Sequence, residues 1–266
     1  MLNSMGITVA VSEPRRIATE IAAPFAQIGL LHPPLNVIDI PMMEEMLRTI
    51  AEIDARPDVS IILIRGAGKA FSAGVDIAAH TPDKIEEMLA RFHRIIRSLV
   101  STKKVTIAAV HGLCLGGGAE LAMVCDIVLT NDDAEWGFPE IKLGCFPPVA
   151  CTALAALIGQ KKAAELILSG RSITGREAAE IGLATRSVSE SQLDSAVHAC
   201  VGQLSRLSPA ALAVAKKACY AWDSMHFDKG LTRAEKIYFE DLMKTEDARE
   251  GIRAFLEKRQ PRWTGK

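Results

Sequence analysis

The residues best suited to chemistry lie at 111–126, HGLCLGGGAELAMVCD. Gly112, Gly116, Gly117 and Gly118 crowd into seven positions. The β-branched and alanine-rich run Val105–Val110 precedes them and suits a buried strand; 119–124 follows and is rich in helix formers. The pattern predicts strand, glycine turn, helix. Amides at a helix N-terminus lack internal partners and carry the positive end of the dipole. A bare glycine backbone lets a ligand oxygen approach them closely. Glu120 stands three residues past Gly117, on the same helical face, and helical side chains lean toward the N-terminus. One turn therefore offers an anion-binding amide with a carboxylate beside it.

Blander readings compete. The glycines also suit plain helix-on-strand packing, and a lone helical glutamate is usually solvated. Neither the dinucleotide fingerprint G-x-G-x-x-G nor the phosphate loop G-x-x-x-x-G-K-[ST] is present: Gly68-Lys69 is followed by Ala70. The net charge of −1 across 266 residues, with no basic block, argues against nucleic acid. The six cysteines show neither a C-x-x-C pair nor zinc spacing, so reduced thiols, no metal and a cytoplasmic location are expected. No apolar run reaches the ~18 residues of a membrane helix, and residues 1–30 lack a secretory pattern.

The elements that must position this turn follow from periodicity. Strands are expected at 17–21, 25–31, 59–64, 105–110 and 127–130, with amphipathic helices at 40–55 and 82–102. A second glycine-bearing loop, GAGKAFSAGVDI, spans 66–77. Beyond 150 the chain reads as helices at 150–158, 160–168, 174–181, 190–206, 208–224, 228–243 and 246–258. Thr174 with Glu177 forms a capping box, and Ser208-Pro209 is an N-cap with proline at N1. Strands thus gather in the first half and helices in the second. The expected division is an α/β core over 1–200, holding the site, and a helical region over 201–266.

Four blocks, in order, resemble the crotonase (enoyl-CoA hydratase/isomerase) family: GAGKAFSAGVDI, HGLCLGGGAELAMVCDI, GFPEIKLG and EKRQPRW. The resemblance covers nearly the whole chain. It implies a spiral of strand–strand–helix units with a C-terminal helical region used in trimerisation, as a homotrimer or homohexamer. It implies an acyl-CoA substrate and no cofactor, coenzyme A being part of the substrate. By position, the backbone amides of Ala73 and Gly117 would form an oxyanion hole. The loop Ala73, Gly74, Val75 and Asp76 would bind coenzyme A together with Gly117, and Glu120 and Glu140 would be the two catalytic acids. Alone, Glu140 after Pro139 also suits a first-turn acid favoured by the helix dipole.

The chemistry fits such a set. Adding water to a conjugated thioester moves negative charge onto the thioester oxygen, where fixed amides stabilise it. Water must lose a proton as it attacks Cβ, and Cα must gain one. Two retained acids favour hydration over isomerase, decarboxylase or thioester hydrolase chemistry, and over a non-catalytic or RNA-binding member of the fold. One segment departs from the family: CFPPVACT at 145–152 replaces the usual Pro-Gly and glycine pair, and Trp136 replaces a smaller aromatic. Trp136 and Phe146 are therefore expected to wall the acyl pocket. The Phe-Pro-Pro run resembles hydratases acting on cyclohexadiene-carbonyl-CoA.

Overall fold

A computed structural model describes residues 15–81, 83–220 and 224–265, so residues 1–14 of the stretch read for a leader pattern lie outside the described residues. The first half runs β1 (Ile17–Ala22), β2 (Phe25–Leu30), α1 (Ile40–Asp54), β3 (Ile61–Gly66), a 3-10 turn (Ile77–His80), α2 (Ile85–Ser101), β4 (Val105–Val110), β5 (Leu113–Leu115), α3 (Gly117–Met123), β6 (Ile127–Asn131) and β7 (Glu135–Gly137). A second 3-10 turn (Pro139–Leu143) leads into α4 (Pro148–Ile158) and α5 (Gln160–Ser169). Next come β8 (Ser172–Thr174), α6 (Gly175–Glu180), β9 (Arg186–Val188), α7 (Leu193–Leu204), α8 (Pro209–Tyr220), α9 (Ser224–Glu240) and α10 (Glu246–Leu256).

Six strands form the main sheet in the order β1-β2-β3-β4-β6-β9. β1 is antiparallel to β2 and every other pair is parallel. The central strands are buried on both faces, which is why they read as unbroken apolar runs. Ile62 and Ile64 of β3 enter the larger core, while Ile61 and Leu63 meet Ile107, Leu129 and α7 residues Leu193 and Val197 on the other side.

Shorter strands form a second layer. Ser72 bridges Cys114 of β5, Cys114 pairs with Trp136 of β7, and Trp136 with Ile173 of β8. Main strand, short step and helix therefore recur through β3, β4 and β6, the expected strand–strand–helix spiral. After β4 this step carries the chain through β5 directly into the start of α3.

The helices after α7, an element that runs across the expected 200/201 division, return to the core. Lys216 of α8 lies 2.8 Å from Asp126 Oδ2 and donates to the Lys104 carbonyl at 2.9 Å. Asp126 also accepts from the Thr106 amide at 2.7 Å, so the buried charges are paired and hydrogen-bonded. Along α9, Glu235 meets His93 of α2 at 2.7 Å and Asp228 meets Arg97 at 3.0 Å. The same helix packs on α4 and buries Tyr238. No helix among the described residues is long and apolar enough to cross a membrane.

Candidate active site

The glycine turn acts as its composition predicts. Gly116 caps α3 with φ of +52°, a left-handed backbone that few other residues adopt. A β-carbon there would lie 2.6 Å from Glu140 Oε1, so the position must be bare for the second carboxyl to reach the turn. Glu120, in the first turn of α3, is buried at 3% exposure. Its Oε1 accepts from the Val149 amide at 2.8 Å and the Ala150 amide at 2.9 Å. These are unspent first-turn donors of α4, which starts at Pro148. The Phe-Pro-Pro departure thus delimits a helix start that grips Glu120.

Glu140 arrives from the 3-10 turn after β7, and its Oε2 is buried without a hydrogen-bond partner among the described residues. The two carboxyls share one compact cavity of about 80 Å³ with Val75, Gly117, Phe146 and Tyr238. Burial pushes Glu120 up to about 7, against the pull of the Ala150 and Val149 amides. Glu140 rises to about 8 through burial and then the charge of Glu120. Both carboxyls thus stand above the ordinary carboxylate range, and the pair titrates as a unit.

Of the other expected residues, Gly117, Ala73, Gly74 and Val75 line the same cavity. The assignment of the Ala73 amide to an oxyanion hole requires correction: it donates to the Leu35 carbonyl at 2.9 Å and has no proton to spare. The amide of Val75 is the available one. The Ile38 amide donates to the Gly74 carbonyl (2.9 Å) and the Asp76 amide to the Ile38 carbonyl (3.1 Å), a parallel bridge that turns Val75's own N–H to the opposite side. Val75 N has no partner among the described residues. It would lie 3.4 Å from a β-carbon placed on Gly117, whose amide opens α3 and lacks an intrahelical partner. Asp76 is not in the cavity wall; its carboxylate accepts from the Ala78 amide at 3.0 Å and caps the 3-10 turn.

Trp136 is a second correction. It is fully buried within β7, its indole N–H donating to Thr130 Oγ1 at 3.1 Å, and it does not line the cavity. Phe146 does, and its aromatic partner is Tyr238, edge-on at 5.1 Å. Tyr238 and His80 are cavity residues that the sequence reading missed. The His80 Nδ1 lies 3.1 Å from the Asp76 carbonyl, and burial pushes the pKa of the ring down. No group of three or more metal-ligating side chains exists among the described residues.

Two buried carboxyls facing two free amides can move protons on either side of a polarised carbonyl. Residues 20–266 match the enoyl-CoA hydratase/isomerase family. The cyclohexa-1,5-dienecarbonyl-CoA hydratase of Thauera aromatica is 33% identical over 252 residues, 95% of this chain and 97% of its own. A probable enoyl-CoA hydratase of Bacillus subtilis is 35% identical over 246 residues, 90% of this chain and 95% of its own. The crystal structure of an enoyl-CoA hydratase from Mycobacterium avium subsp. paratuberculosis superposes with a TM-score of 0.85 at 25% identity, covering 94% of this chain and 99% of that one. The chain belongs to the enoyl-CoA hydratase/isomerase family and is a hydratase-type lyase on the crotonase fold.

Proposed function

We propose that the chain adds water across the α,β double bond of an acyl-CoA thioester, using Glu120 and Glu140. The observation that carries this reading is the shared cavity, in which Glu120, held by two α4 amides, and Glu140, whose buried Oε2 has no partner among the described residues, lie with the unpartnered amides of Val75 and Gly117. Glu120, steadied by the α4 amides, is the carboxylate that takes a proton from water as its oxygen bonds to Cβ. The π electrons move to the thioester oxygen, where the Val75 and Gly117 amides hold the enolate. Glu140, as the carboxylic acid, gives its proton to Cα. Transfer of the proton from Glu120 back to Glu140 restores the pair, and no group outside chain and substrate is consumed. Mass spectrometry of a panel of conjugated acyl-CoA thioesters tests this: products heavier by one water support hydration, and free acid or unhydrated isomer as the product sinks it.

The acyl group we propose is a cyclic dienoyl. The support is the 33% identity to the Thauera aromatica dienecarbonyl-CoA hydratase and the edge-on pair Phe146–Tyr238, flat apolar surfaces that suit a ring. Such walls discriminate by about 1–3 kcal/mol, so kcat/KM for cyclohexa-1,5-diene-1-carbonyl-CoA should exceed that for crotonyl-CoA by roughly tenfold to a few hundredfold. A second reading has its own observation. An apolar cavity of about 840 Å³ lies across Phe146, between α4, α5 and α9, with room for a long linear chain. Including trans-2-decenoyl-CoA in the comparison separates the two; decenoyl-CoA as the best substrate removes the cyclic reading, and crotonyl-CoA as the best removes both.

The assembly we propose is a homotrimer or a homohexamer. Leu157, Leu168, Val214 and Ile237 are 45%, 71%, 68% and 41% exposed on α4, α5, α8 and α9, apolar surface that association would cover. Light scattering at micromolar concentration should give three or six chains, and a stable monomer would overturn the assignment.

A further inference from the structure

We propose that Ser72 is a positioning residue whose hydroxyl holds the Val75 amide at its distance from Gly117, with Asn36 as its anchor. The inference rests on the oxyanion-hole reading above.

The argument begins with where the loop is tied. Ser72 is fully buried. Its Oγ donates to the Asn36 carbonyl at 2.8 Å and accepts from the Gly74 amide at 3.1 Å. Its backbone is pinned to β5: the Ser72 amide donates to the Leu113 carbonyl and the Leu115 amide to the Ser72 carbonyl, both at 3.0 Å. β5 runs directly into Gly116 and Gly117. The start of α3 also packs on this residue, since a β-carbon on Gly118 would lie 2.6 Å from the Ser72 carbonyl oxygen. Ser72 is therefore fixed to the strand and helix that carry one amide, while its hydroxyl reaches into the turn that carries the other.

Asn36 makes that tie stiff. It is fully buried with φ of +51°, a left-handed backbone that asparagine tolerates better than most residues. Its Nδ2 donates to the carbonyls of Ala67 (2.8 Å) and Ala70 (2.7 Å), and its Oδ1 accepts from the His32 amide at 2.9 Å. The Asn36 carbonyl is thus clamped through its own side chain to the same loop that Ser72 belongs to. On the far side, Gly74 holds φ of +103° and gives its carbonyl to the Ile38 amide. Between the Ser72–Gly74 bond and the Ile38 bridge, the Val75 peptide has one orientation left. Removal of the hydroxyl strands the buried Gly74 amide and the buried Asn36 carbonyl. The turn then shifts to find partners, and a donor displaced by a fraction of an ångström stabilises an enolate less well.

The effect belongs to the transition state, so it separates kcat from KM. Ser72→Ala should lower kcat by about tenfold to a hundredfold, below the cost of deleting an oxyanion donor outright, with KM within about twofold. A direct optical readout uses an aryl enoyl-CoA carrying a para-amino donor, whose absorption moves to longer wavelength when the carbonyl oxygen is polarised. On wild type the probe should shift red on binding, and on Ser72→Ala it should bind with unchanged affinity and a smaller shift. Ser72→Cys keeps the volume, weakens both bonds and should give the same pattern on a smaller scale; it serves if the alanine variant does not fold. A red shift and kcat in the variants equal to wild type overturns the positioning role while leaving the oxyanion hole intact. No red shift on wild type overturns the oxyanion hole itself.

Discussion

Glu120→Gln and Glu140→Gln should each lower kcat by about 10²–10⁴ while the fold and coenzyme A binding persist, the range for a general acid or base removed from its site. The amide keeps the volume, and at position 120 its oxygen still accepts from Val149 and Ala150. What is lost is a proton carrier. The pH profile carries the same information. With values of about 7 and about 8 for the coupled pair, one proton is shared between those limits, so kcat/KM should peak there. Below, both carboxyls are protonated and no base exists; above, both are ionised and no acid exists. Stability moves with the opposite sign from an ordinary surface carboxylate. Both folded values lie above the ordinary 4.5, so folding favours the protonated forms, and stability is lost as pH rises from about 4.5 through the folded values. Glu140→Gln cannot ionise, so its Tm should exceed that of wild type at pH 8 and the gap should close by pH 5. Either single variant turning over at the wild-type rate would remove the proposed roles.

How much of this was legible in the sequence depended on whether the decisive contact was local. Val105–Val110 reads as a strand because both its faces are buried, and the glycine turn and Glu120 follow within a few residues, so composition alone locates them. The N-cap at Thr174 is equally local, its hydroxyl accepting from the Glu177 amide at 3.1 Å, whereas the Glu177 carboxylate accepts from Arg171 instead of closing the expected capping box. Which amide of the 73–76 loop is free was not legible. That is decided by Leu35 and Ile38, which claim the neighbouring peptides from far upstream, and nothing in FSAGVD distinguishes Ala73 from Val75. Trp136 misled because its strand is three residues long, too short for alternation to show which face is core. Tyr238 carries no sequence signal because its role depends on α9 packing on α4 and pairing with α2 through His93–Glu235 and Arg97–Asp228, contacts between distant segments with no periodic mark.

The hole itself is tested most sharply at Gly117, where alanine should lower kcat by about 10²–10³, the cost of losing an oxyanion donor. A β-carbon there would come within 2.6 Å of Val75 Cγ2, 3.2 Å of Phe92 Cζ and 3.4 Å of the Val75 amide nitrogen. The 2.6 Å contact cannot stand, so Val75 must move, and its amide moves with it. The backbone does not object, because Gly117 is helical rather than left-handed, and alanine is the better helix former by about 1 kcal/mol. The expected signature is therefore a large fall in kcat with Tm changed by only a few degrees. Gly202→Ala in α7 supplies the contrast: a β-carbon there meets nothing within 4 Å, so kcat should stay at the wild-type level. If Gly117→Ala keeps kcat within about threefold of wild type, displacing the Val75 amide from Gly117 does not affect the enolate, and the Val75–Gly117 hole is not where the thioester oxygen sits.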